Sequence, residues 1–415
     1  MRTIPSWIQF LIILQMVMAV PMIWTGVVAA KGLIRKRVIP AAADVCNRFA
    51  VVICAKNEEK VIARLLGSLQ KQDYPRSCFH VFLLADHCTD RTVDIAKTFD
   101  GVTVYERKSG PTGGKGDVLN WGIQRILAEY GRTIDAFAFF DADNIPRTDF
   151  LSRINEYLVS GEKIVQGHRI AGDLADGQRT IVTEWFKVYW LLYSSLFSYT
   201  RQKLGFSAFL TGTGFAASKE VLEHGWNTSS ITEDVEMSVT SCAKGYRVAY
   251  ALEAVCYDEQ PSSFSVMMRQ LTRWCTGAYQ ILPHYLSLWF SGMYRPKAGS
   301  GYRLRITDNL MMLLMGPAGA LGLVLGIVVN LYWVSIHPIV ISVMTAAGFL
   351  AMALALRFFI RKFYHLKNMD GMFPGYYFIG VFLFFYSLCS LRSWIFPQTE
   401  WKRIEHRGIN VEENG

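Results

Sequence analysis

The sequence has few charged residues for its length. Only 19% of its 415 residues are Asp, Glu, Lys or Arg, whereas 51% are hydrophobic. Soluble globular domains usually carry about a quarter charged residues, so the whole chain is too apolar for a typical soluble enzyme. The chain also lacks a CxxC pair. Its eight cysteines are scattered through apolar segments, which favours reduced thiols over disulfides or a zinc site.

Four long runs contain almost no charge, and each can cross a bilayer as a helix of about 20 residues. They cover residues 8–30, 309–335, 338–360 and 373–396. Only Arg2 precedes the first run, while a basic flank at 31–37 follows it. Positive charge stays on the cytoplasmic side, so we predict an outside amino terminus and a cytosolic middle domain in the plasma membrane.

These patterns divide the chain into four parts. Residues 1–36 are predicted to form a transmembrane helix with its basic flank, residues 37–300 the cytosolic domain, residues 301–398 three transmembrane segments and residues 399–415 a basic tail. The net charge of +9 does not indicate a nucleic-acid partner. Much of the basic excess adjoins the apolar runs, where topology and anionic lipid explain it.

Short strands alternate with helices between residues 48 and 143. The runs "RFAVVICA", "HVFLLAD", "VTVYER" and "AFAFFDAD" are rich in β-branched and aromatic residues, and the stretches between them space apolar residues as helices do. This alternation predicts an α/β fold with a mostly parallel sheet. In such sheets ligands bind beyond the carboxyl ends of the strands. The polar residues at those ends are Lys56, Asn57, Glu58, Asp86, Asp141 and Asp143.

The "DAD" at 141–143 places two carboxylates at the end of an apolar strand. Strand alternation points Asp141 and Asp143 to the same side. Two hard oxygen ligands suit a Mg²⁺ or Mn²⁺ ion whose coordination is completed by substrate phosphates and water. Asp-Ala-Asp-Asn is also typical of the start of a turn, so the motif by itself leaves both interpretations open.

The segment "ITEDVEMSV" places Thr232, Glu233 and Asp234 at the start of an amphipathic stretch. Thr and acidic residues are common at helix amino termini, where they satisfy free amides and the helix dipole. The local pattern favours this capping role. A carboxylate held there can also serve as a general base.

Two glycine-rich segments imitate nucleotide-binding loops. "SGPTGGKG" is not a Walker loop, because Gly116 stands where Ser or Thr is required. Lys115 in this flexible loop can still contact a phosphate. "GTGFAA", at 212–217, lacks the βαβ opening of a dinucleotide fold, so its glycines are interpreted as permitting close backbone approach.

Six motifs, taken in order, resemble one family. "VVICAKNEE", "LLADHCTDRT", "FFDADN", "GTGF", "ITEDVEMS" and "QLTRW" follow the order seen in membrane-integrated family-2 glycosyltransferases, such as the cellulose, hyaluronan, chitin-oligosaccharide and poly-N-acetylglucosamine synthases. The resemblance covers about residues 45–300. It implies a GT-A fold and a nucleotide-diphosphate sugar donor.

The resemblance also implies roles for the residues of the donor site. Lys56, Glu58 and Asp86 match nucleoside contacts, with Asp86 near the base. Asp141 and Asp143 resemble the DxD pair that holds Mg²⁺ or Mn²⁺, and Asp143 is expected to be the more direct ligand.

The remaining motifs match the catalytic and acceptor groups. Asp234 matches the general base, adjacent to Glu233. Inverting transfer needs a base on the acceptor hydroxyl and charge neutralisation on the departing diphosphate; the metal and Arg273 can supply the second. Trp274 offers a flat face for a sugar ring, and Gln270 can hydrogen-bond sugar or phosphate oxygens. A purely interfacial role for this QxxRW motif is a minor alternative beside the other motifs.

These assignments predict an inverting, processive β-hexosyltransferase that polymerises a UDP-hexose and passes the polysaccharide through its own membrane pore. UDP-glucose is favoured over UDP-N-acetylglucosamine, because Gly277 and Gln280 after the motif resemble cellulose-type enzymes. One alternative is a non-processive enzyme that glycosylates a lipid acceptor. The other is an inactive partner subunit of a secretion complex. A need for an accessory subunit stays open.

Two aromatic-rich stretches, 183–199 and 280–290, predict interfacial helices that seat the domain on the bilayer. For the second stretch, simple core packing explains the pattern equally well. The basic tail resembles a cytosolic gating loop. Four membrane spans would nevertheless leave the tail outside, so either one run does not span or the tail is not a gate.

Overall fold

The computed structural model describes residues 4–36, 39–110, 114–297, 299–364, 375, 377–398 and 406–410. The strands are β1 (Phe49–Ala55), β2 (Phe79–Asp86), β3 (Val102–Arg107), β4 (Ala136–Asp141), β5 (Ile145–Pro146), β6 (Ile164–Ala171), β7 (Asp173–Leu174), β8 (Phe215–Ser218), β9 (Val248–Asp258) and β10 (Ile409–Asn410). The α-helices are α1 (Ser6–Ile34), α2 (Ile62–Gln70), α3 (Thr92–Lys97), α4 (Lys115–Tyr130), α5 (Phe150–Val159), α6 (Ile181–Leu192), α7 (Thr200–Leu204), α8 (Lys219–Leu222), α9 (Glu233–Lys244), α10 (Phe264–Met293), α11 (Ser300–Ile336), α12 (Pro338–Tyr364) and α13 (Ile379–Ile395).

An eight-stranded sheet organises the middle of the chain, in the order β3-β2-β1-β4-β8-β6-β9-β5. Strand β1 pairs in parallel with β2 and β4, and β6 pairs in parallel with β9. Strand β8 runs antiparallel to both of its neighbours. The short edge strand β5 also runs antiparallel to β9. The predicted α/β fold with a mostly parallel sheet is confirmed, and β8 is the reversed strand within the sheet, directly after the "GTGF" glycines.

Strand β1 is buried on both faces, which explains its unbroken apolar run. Phe49, Val51 and Ile53 face one hydrophobic core, which they share with α2 and α5. Ala50 and Val52 face a second core, which they share with α4. The two layers of helices hold the carboxyl ends of the central strands in place, where the predicted polar residues lie.

The two aromatic-rich stretches belong to different kinds of helix. The first is helical as predicted: α6 continues as a π-helical segment (Tyr193–Tyr199) into α7, which ends at Gly205 with φ of +73°. The prediction of a separate short helix at 280–290 is wrong. That stretch is the second half of the 30-residue helix α10, and Ile281 and Tyr285 are buried there against Leu310 of α11.

Three helices of the described residues are long and apolar enough to cross a membrane: Ser6–Ile34, Ser300–Ile336 and Pro338–Phe358. The fourth predicted span differs from the structure. Residues 373, 374 and 376 of that run lie outside the described residues, and α13 begins only at Ile379. With 17 residues, α13 is shorter than the roughly 20 that a bilayer core requires.

A buried ion pair joins the domain that carries the sheet to the long apolar helix α11. Arg201 of α7 donates through Nε to Asp308 of α11 at 2.8 Å, and both side chains are essentially inaccessible to solvent. Trp24 of α1 donates its indole N–H to the same carboxylate at 2.9 Å. Arg201 also donates through Nη2 to Asp308 Oδ1 at 3.0 Å. An unpaired charge at this depth would be costly, so the three contacts fix α1, α7 and α11 relative to one another.

The described end of the chain returns to the catalytic domain. Strand β10 pairs antiparallel with β7, and Arg64 of α2 donates to the carbonyl of Ile409 at 3.0 Å. Residues 399–405 and 411–415 of the predicted tail lie outside the described residues. Residues 406–410 thus lie against the domain that carries the sheet.

Candidate active site

One cavity of about 1250 Å³ lies at the carboxyl ends of β1, β2 and β4 and is lined by all eleven predicted site residues. These are Lys56, Glu58, Asp86, Lys115, Asp141, Asp143, Glu233, Asp234, Gln270, Arg273 and Trp274. Strand ends of a parallel sheet share one edge, so segments from distant parts of the sequence converge there. The structure brings the predicted residues together, while their individual roles stay predictions.

The ends of β1 and β2 form the part of the cavity predicted to bind the nucleoside. Asp86 is buried and accepts from Arg107 Nε at 2.6 Å and from His87 Nδ1 at 2.8 Å. Burial opposes ionisation, but these two donors together lower the pKa of Asp86. Asn57 and His87 have positive φ angles of 59° and 51°, a backbone conformation that is uncommon outside glycine. The two hydrogen bonds fix the side chain of Asp86 at the end of β2, and Asn57 and His87, which follow the ends of β1 and β2, adopt the uncommon backbone conformation.

The DAD motif is both a turn and a lining of the cavity. Strand β4 ends at Asp141, and the backbone N–H of Asn144 donates to the Asp141 carbonyl at 3.1 Å. The Asn144 side chain accepts from the Asp141 N–H at 3.1 Å and from the Thr213 hydroxyl. A turn, rather than strand alternation, thus delivers Asp143 to the cavity. The two interpretations left open by the motif are compatible.

Lys115 is the first residue of α4 and reaches across the cavity. Its Nζ donates to Asp141 Oδ1 at 2.5 Å and to the carbonyl of Gly212 at 2.6 Å. Burial opposes the charge, but Asp141 and Glu233 raise the pKa of Lys115, which keeps it cationic. Residues 111–113 of the predicted phosphate-contacting loop lie outside the described residues.

The two carboxylates of the TED motif are buried at the amino terminus of α9. The Thr232 hydroxyl caps no amide and is buried without a partner among the described residues, so the capping interpretation does not explain it. Burial raises the pKa of Asp234, and burial together with the charge of Asp234 raises the pKa of Glu233. A Cβ added at Gly212, where φ is +85°, would lie 3.3 Å from Asp234 Oδ2. The first glycine of "GTGF" therefore permits close backbone approach to the predicted base.

Helix α10 places the QxxRW motif against the same segment. A Cβ at Gly277 would lie only 1.9 Å from the Thr232 hydroxyl oxygen, so glycine is required where the two helices meet. Gln280 Oε1 accepts from the backbone N–H of Ile231 at 2.9 Å. Gly277 and Gln280, which resemble cellulose-type enzymes, thus have a packing role: they hold α10 against the segment that carries the predicted catalytic carboxylates.

Trp274 forms part of an aromatic wall of the cavity. Its ring is nearly parallel to that of Tyr189 at 5.9 Å and edge-on to that of Trp190 at 5.8 Å. The side-chain carbonyl oxygen of Gln270, one turn earlier, is buried without a partner among the described residues. An unsatisfied buried acceptor costs folding free energy, which a ligand donor in the cavity can recover.

His406, in the tail, was missed by the motif analysis. Its Nδ1 is 3.1 Å from Glu58 Oε2, and its Nε2 is 4.0 Å from Asp143 Oδ2. Glu259 holds it there by accepting the backbone N–H groups of the next two residues, at 2.9 and 2.7 Å. Burial opposes protonation, but Asp143 and Glu58 raise the pKa of His406 to about 10. The only sequence signal was a histidine within a basic tail.

The residues near Asp143 fit a divalent cation with few protein ligands. The Asp143 carboxylate supplies oxygen atoms, which bind Mg²⁺ at about 2.0–2.1 Å. His406, whose Nε2 lies 4.0 Å from Asp143 Oδ2, is held protonated by its acidic neighbours and so has no free lone pair for a cation. The described residues contain no cluster of three or more His, Cys, Asp or Glu able to hold a metal. Substrate phosphates and water would have to complete the coordination, which is the usual arrangement for Mg²⁺.

The cavity continues past Trp274 between the membrane helices, where its character changes. The apolar side chains that line this part include Met22 of α1, Met312, Met315 and Pro317 of α11, Leu356 of α12 and Leu383 of α13. Hydroxyl groups come from α13, where Ser390 is hydrogen-bonded to Tyr279 at 2.9 Å. One end of the cavity therefore presents paired charges, and the other presents mainly hydrocarbon with a few hydroxyl groups on α13.

Comparison with solved structures defines the class of fold. The structure is similar to the mannosyltransferase PcManGT from Pyrobaculum calidifontis, solved in complex with GDP-Man and Mn²⁺, with a TM-score of 0.64 and 17% identity. The match covers 92% of this chain and 99% of that one. The predicted GT-A fold is confirmed.

The sequence places the chain within this class. A profile described as glycosyltransferase like family 2 matches residues 47–277, more than half of the sequence, so the chain belongs to that family. It is 26% identical over 253 residues to the "Probable glycosyltransferase YdaM" of Bacillus subtilis. It is 28% identical over 246 residues to the "Beta-monoglucosyldiacylglycerol synthase" of Nostoc sp.. These matches cover 59% and 58% of this chain but only 58% and 50% of the two relatives.

Proposed function

We propose that this chain is a membrane-bound inverting hexosyltransferase that transfers a single hexose from a UDP-sugar to a headgroup hydroxyl of a lipid. The observation that carries the proposal is the continuity of the cavity from the buried carboxylates to the apolar membrane helices. A ligand that reaches both ends must be polar at the site of transfer and apolar beyond it. The sequence motifs favoured processive polymer synthesis over lipid glycosylation, and the cavity supports the opposite preference.

In the proposed reaction Asp234 removes the proton from the lipid hydroxyl as the hydroxyl oxygen attacks the anomeric carbon of the donor. The bond from that carbon to the diphosphate breaks, and the diphosphate leaves with its electron pair. Arg273 and Lys115, which both line the cavity near the two acids, neutralise the charge that develops on the leaving group. Asp141 and Asp143 would hold Mg²⁺ or Mn²⁺, which supplies further charge neutralisation when bound.

The apolar lining supports a lipid acceptor over a polysaccharide. A sugar chain crossing the membrane needs hydrogen-bonding partners for its hydroxyl groups, because unsatisfied polar groups are costly in an apolar surrounding. The side chains that α1 and α11 contribute to the cavity, such as Met22 and Met312, cannot supply them. The name of the relative from Nostoc sp. is consistent with this acceptor class.

Processive polymer synthesis remains the second candidate. The observation that favours it is the aromatic wall around Trp274, because aromatic faces suit sugar rings. The wall would serve one sugar headgroup equally well.

Product analysis of the full-length protein tests the proposal. The protein, reconstituted in phosphatidylcholine vesicles that contain diacylglycerol or a glycosyldiacylglycerol, is incubated with a panel of radiolabelled nucleotide sugars that includes UDP-glucose, UDP-N-acetylglucosamine and GDP-mannose. We expect label from one UDP-hexose in an organic-soluble lipid bearing one added sugar. Label in a water-soluble or insoluble polymer degraded by a linkage-specific hydrolase would refute lipid glycosylation and support the processive function.

A further inference from the structure

Arg169, which belongs to none of the sequence motifs, lines the cavity at the end of β6. Its guanidinium is held by three neighbours, and its side chain is only 12% exposed. Both Nε, at 2.7 Å, and Nη2 donate to Asp258 Oδ2, and Nη1 donates to the carbonyl of Thr211 at 2.7 Å. The guanidinium carbon, Cζ, lies 4.1 Å from the centre of the Trp190 ring. Few rotamers satisfy all of these contacts at once.

These contacts do not use the full donor capacity of Arg169. A guanidinium has five N–H groups, and the three hydrogen bonds to Asp258 and Thr211 leave two N–H groups without a partner among the described residues. Because Arg169 lines the cavity, a ligand there can accept from them. Leaving donors of a charged group unsatisfied in a buried position costs free energy, so their presence favours a ligand contact.

Arg169 lies between the predicted base and the aromatic wall. Its partner Thr211 precedes Gly212, the glycine that approaches the Asp234 carboxylate. On the other side, the Trp190 ring on which Arg169 stacks is packed against the edge of Trp274. A group bound by Arg169 is therefore close to both the attacking hydroxyl and the sugar-stacking face.

Hydrogen bonds connect Trp190, Gln260, Asp258 and Arg169 in sequence, and the stacking of Arg169 on Trp190 closes the ring. The Trp190 indole N–H donates to Gln260 Oε1 at 2.9 Å, and Gln260 Nε2 donates to Asp258 Oδ2 at 2.5 Å. The same oxygen accepts from Arg169. Trp190, Gln260 and Asp258 are each at most 5% exposed. This ring of contacts fixes the direction of the Arg169 guanidinium relative to Trp274.

The charge of Arg169 indicates what it binds. Asp258 neutralises this guanidinium at hydrogen-bonding distance, and the charges of Asp141 and Asp143 act on it as well. A compensated cation with spare, planar N–H groups suits two neutral hydroxyl oxygens better than a phosphate. Neighbouring hydroxyls on a ring that also stacks on an aromatic face describe a sugar.

We propose that Arg169 is a specificity-determining residue that selects a lipid acceptor whose headgroup is itself a sugar, by donating its two unused N–H groups to hydroxyls of that sugar. This rests on the proposed function, since it names the headgroup of the lipid. Diacylglycerol has a single hydroxyl, which is consumed as the nucleophile, so it offers Arg169 no second contact.

The test compares two acceptors in vesicles, diacylglycerol and monoglucosyldiacylglycerol, with the wild-type protein, Arg169→Met and Arg169→Met/Asp258→Leu. The double variant removes both members of the buried pair, which often preserves or improves stability. Arg247→Met is the matched control, because Arg247 is paired with Glu162 outside the cavity. Donor hydrolysis without acceptor is measured for each protein.

We expect the wild type to prefer the glucosyl acceptor, and both Arg169 variants to lose about a hundredfold or more in kcat/KM for that acceptor, the loss expected for two hydrogen bonds to a charged group. The ratio of kcat/KM for the glucosyl acceptor to kcat/KM for diacylglycerol should fall by a similar factor, because diacylglycerol offers Arg169 no hydroxyl to bind, and Arg247→Met should keep the wild-type ratio. Equal wild-type use of the two acceptors, or parallel loss of all three activities in the stable double variant, would overturn the inference while leaving lipid glycosylation intact. Polymer formation by the wild type would instead refute the proposed function.

Discussion

The donor end and the membrane end of the cavity differ in chemistry although they share one continuous space. At the donor end, opposite charges are paired at close range, as in Lys115 on Asp141 and His406 on Glu58. At the membrane end, Met312 and Leu383 are typical of the lining. Charge pairing prepares the first region for a departing diphosphate, whereas hydrocarbon walls stabilise only apolar ligands. The comparison indicates an amphipathic acceptor that enters from the membrane.

Substitution of the predicted general base, Asp234, should have the largest effect on the rate of transfer. Asp234→Asn should reduce transfer by about a hundredfold or more, because it removes the general base, while UDP binding is retained. Asp94→Asn, in the first turn of α3 and outside the cavity, is the control for a helix-terminal acid. Initial rates and UDP affinity are the measurements.

The thermal stability of Asp234→Asn distinguishes a general base at this position from a residue that only caps the helix. Burial raises the pKa of Asp234 in the folded protein, so its ionisation lowers the free energy of unfolding as the pH rises through that pKa. At neutral pH Asp234→Asn should therefore keep or raise the thermal midpoint. A well-folded Asp234→Asn protein with full activity would remove Asp234 from the mechanism.

Loss of the metal should have the next largest effect at the donor end. Chelation should reduce transfer by about a hundredfold, because metal charge stabilisation of a leaving group is worth several kcal/mol, and Mn²⁺ or Mg²⁺ should restore it. Asp143→Asn should weaken Mn²⁺ binding measured without donor. Asp149→Asn, whose carboxylate pairs with Arg147 at the surface, should bind Mn²⁺ normally. Unchanged Mn²⁺ affinity in Asp143→Asn would exclude Asp143 as a ligand.

The pH dependence of transfer should report the burial of the base. Asp234 acts as a carboxylate, so the rate should fall about tenfold per pH unit below its pKa, at a pH above the 3.8 of an ordinary aspartate. The charge of Lys115 lowers that pKa, so Lys115→Gln should move the acid limb to higher pH. Lys244→Gln, at the exposed end of α9, should not move it. A limb that shifts to lower pH in Lys115→Gln would contradict the assignment.

The strands and the donor end could be predicted from the sequence because both depend on local patterns. Short apolar runs identify the strands, and the ends of parallel strands gather at one edge, so Lys56, Asp86 and Asp141 had to be neighbours. The turn that delivers Asp143 was one of two open interpretations. The structure shows the turn, while metal binding by Asp143 stays a prediction that the turn permits. Periodicity also predicted most helices, but it could not show that 280–290 continues α10.

The rest of the site could not be predicted because it depends on long-range contacts. His406 reaches Glu58 across nearly the whole sequence, after two long membrane helices. Arg169 fits the pattern of an ordinary strand residue, and only the fold reveals that its partner Asp258 lies on the neighbouring strand. Gly277 was interpreted as a mark of product type, whereas its contact with Thr232 shows a packing constraint.

The central claim, that the membrane end of the cavity holds the hydrocarbon of the acceptor, is tested most directly by filling that end. Gly319 of α11 lines the cavity, and a Cβ added there would meet nothing within 4 Å, so Gly319→Leu should occupy space without disturbing the helix. Gly322→Leu, one turn further on and outside the cavity lining, is the matched control, with only Met18 Cβ near, at 3.9 Å.

The measurement is the rate of transfer to long-chain and short-chain forms of the same lipid acceptor, with donor hydrolysis measured in parallel. Loss of space for about two methylene groups, at about 0.8 kcal/mol each, predicts that Gly319→Leu lowers transfer to the long-chain acceptor about tenfold. The short-chain acceptor and donor hydrolysis should be spared, and Gly322→Leu should resemble the wild type. Equal rates with both acceptors in Gly319→Leu, or an equal loss in all three assays, would contradict a lipid-binding membrane end.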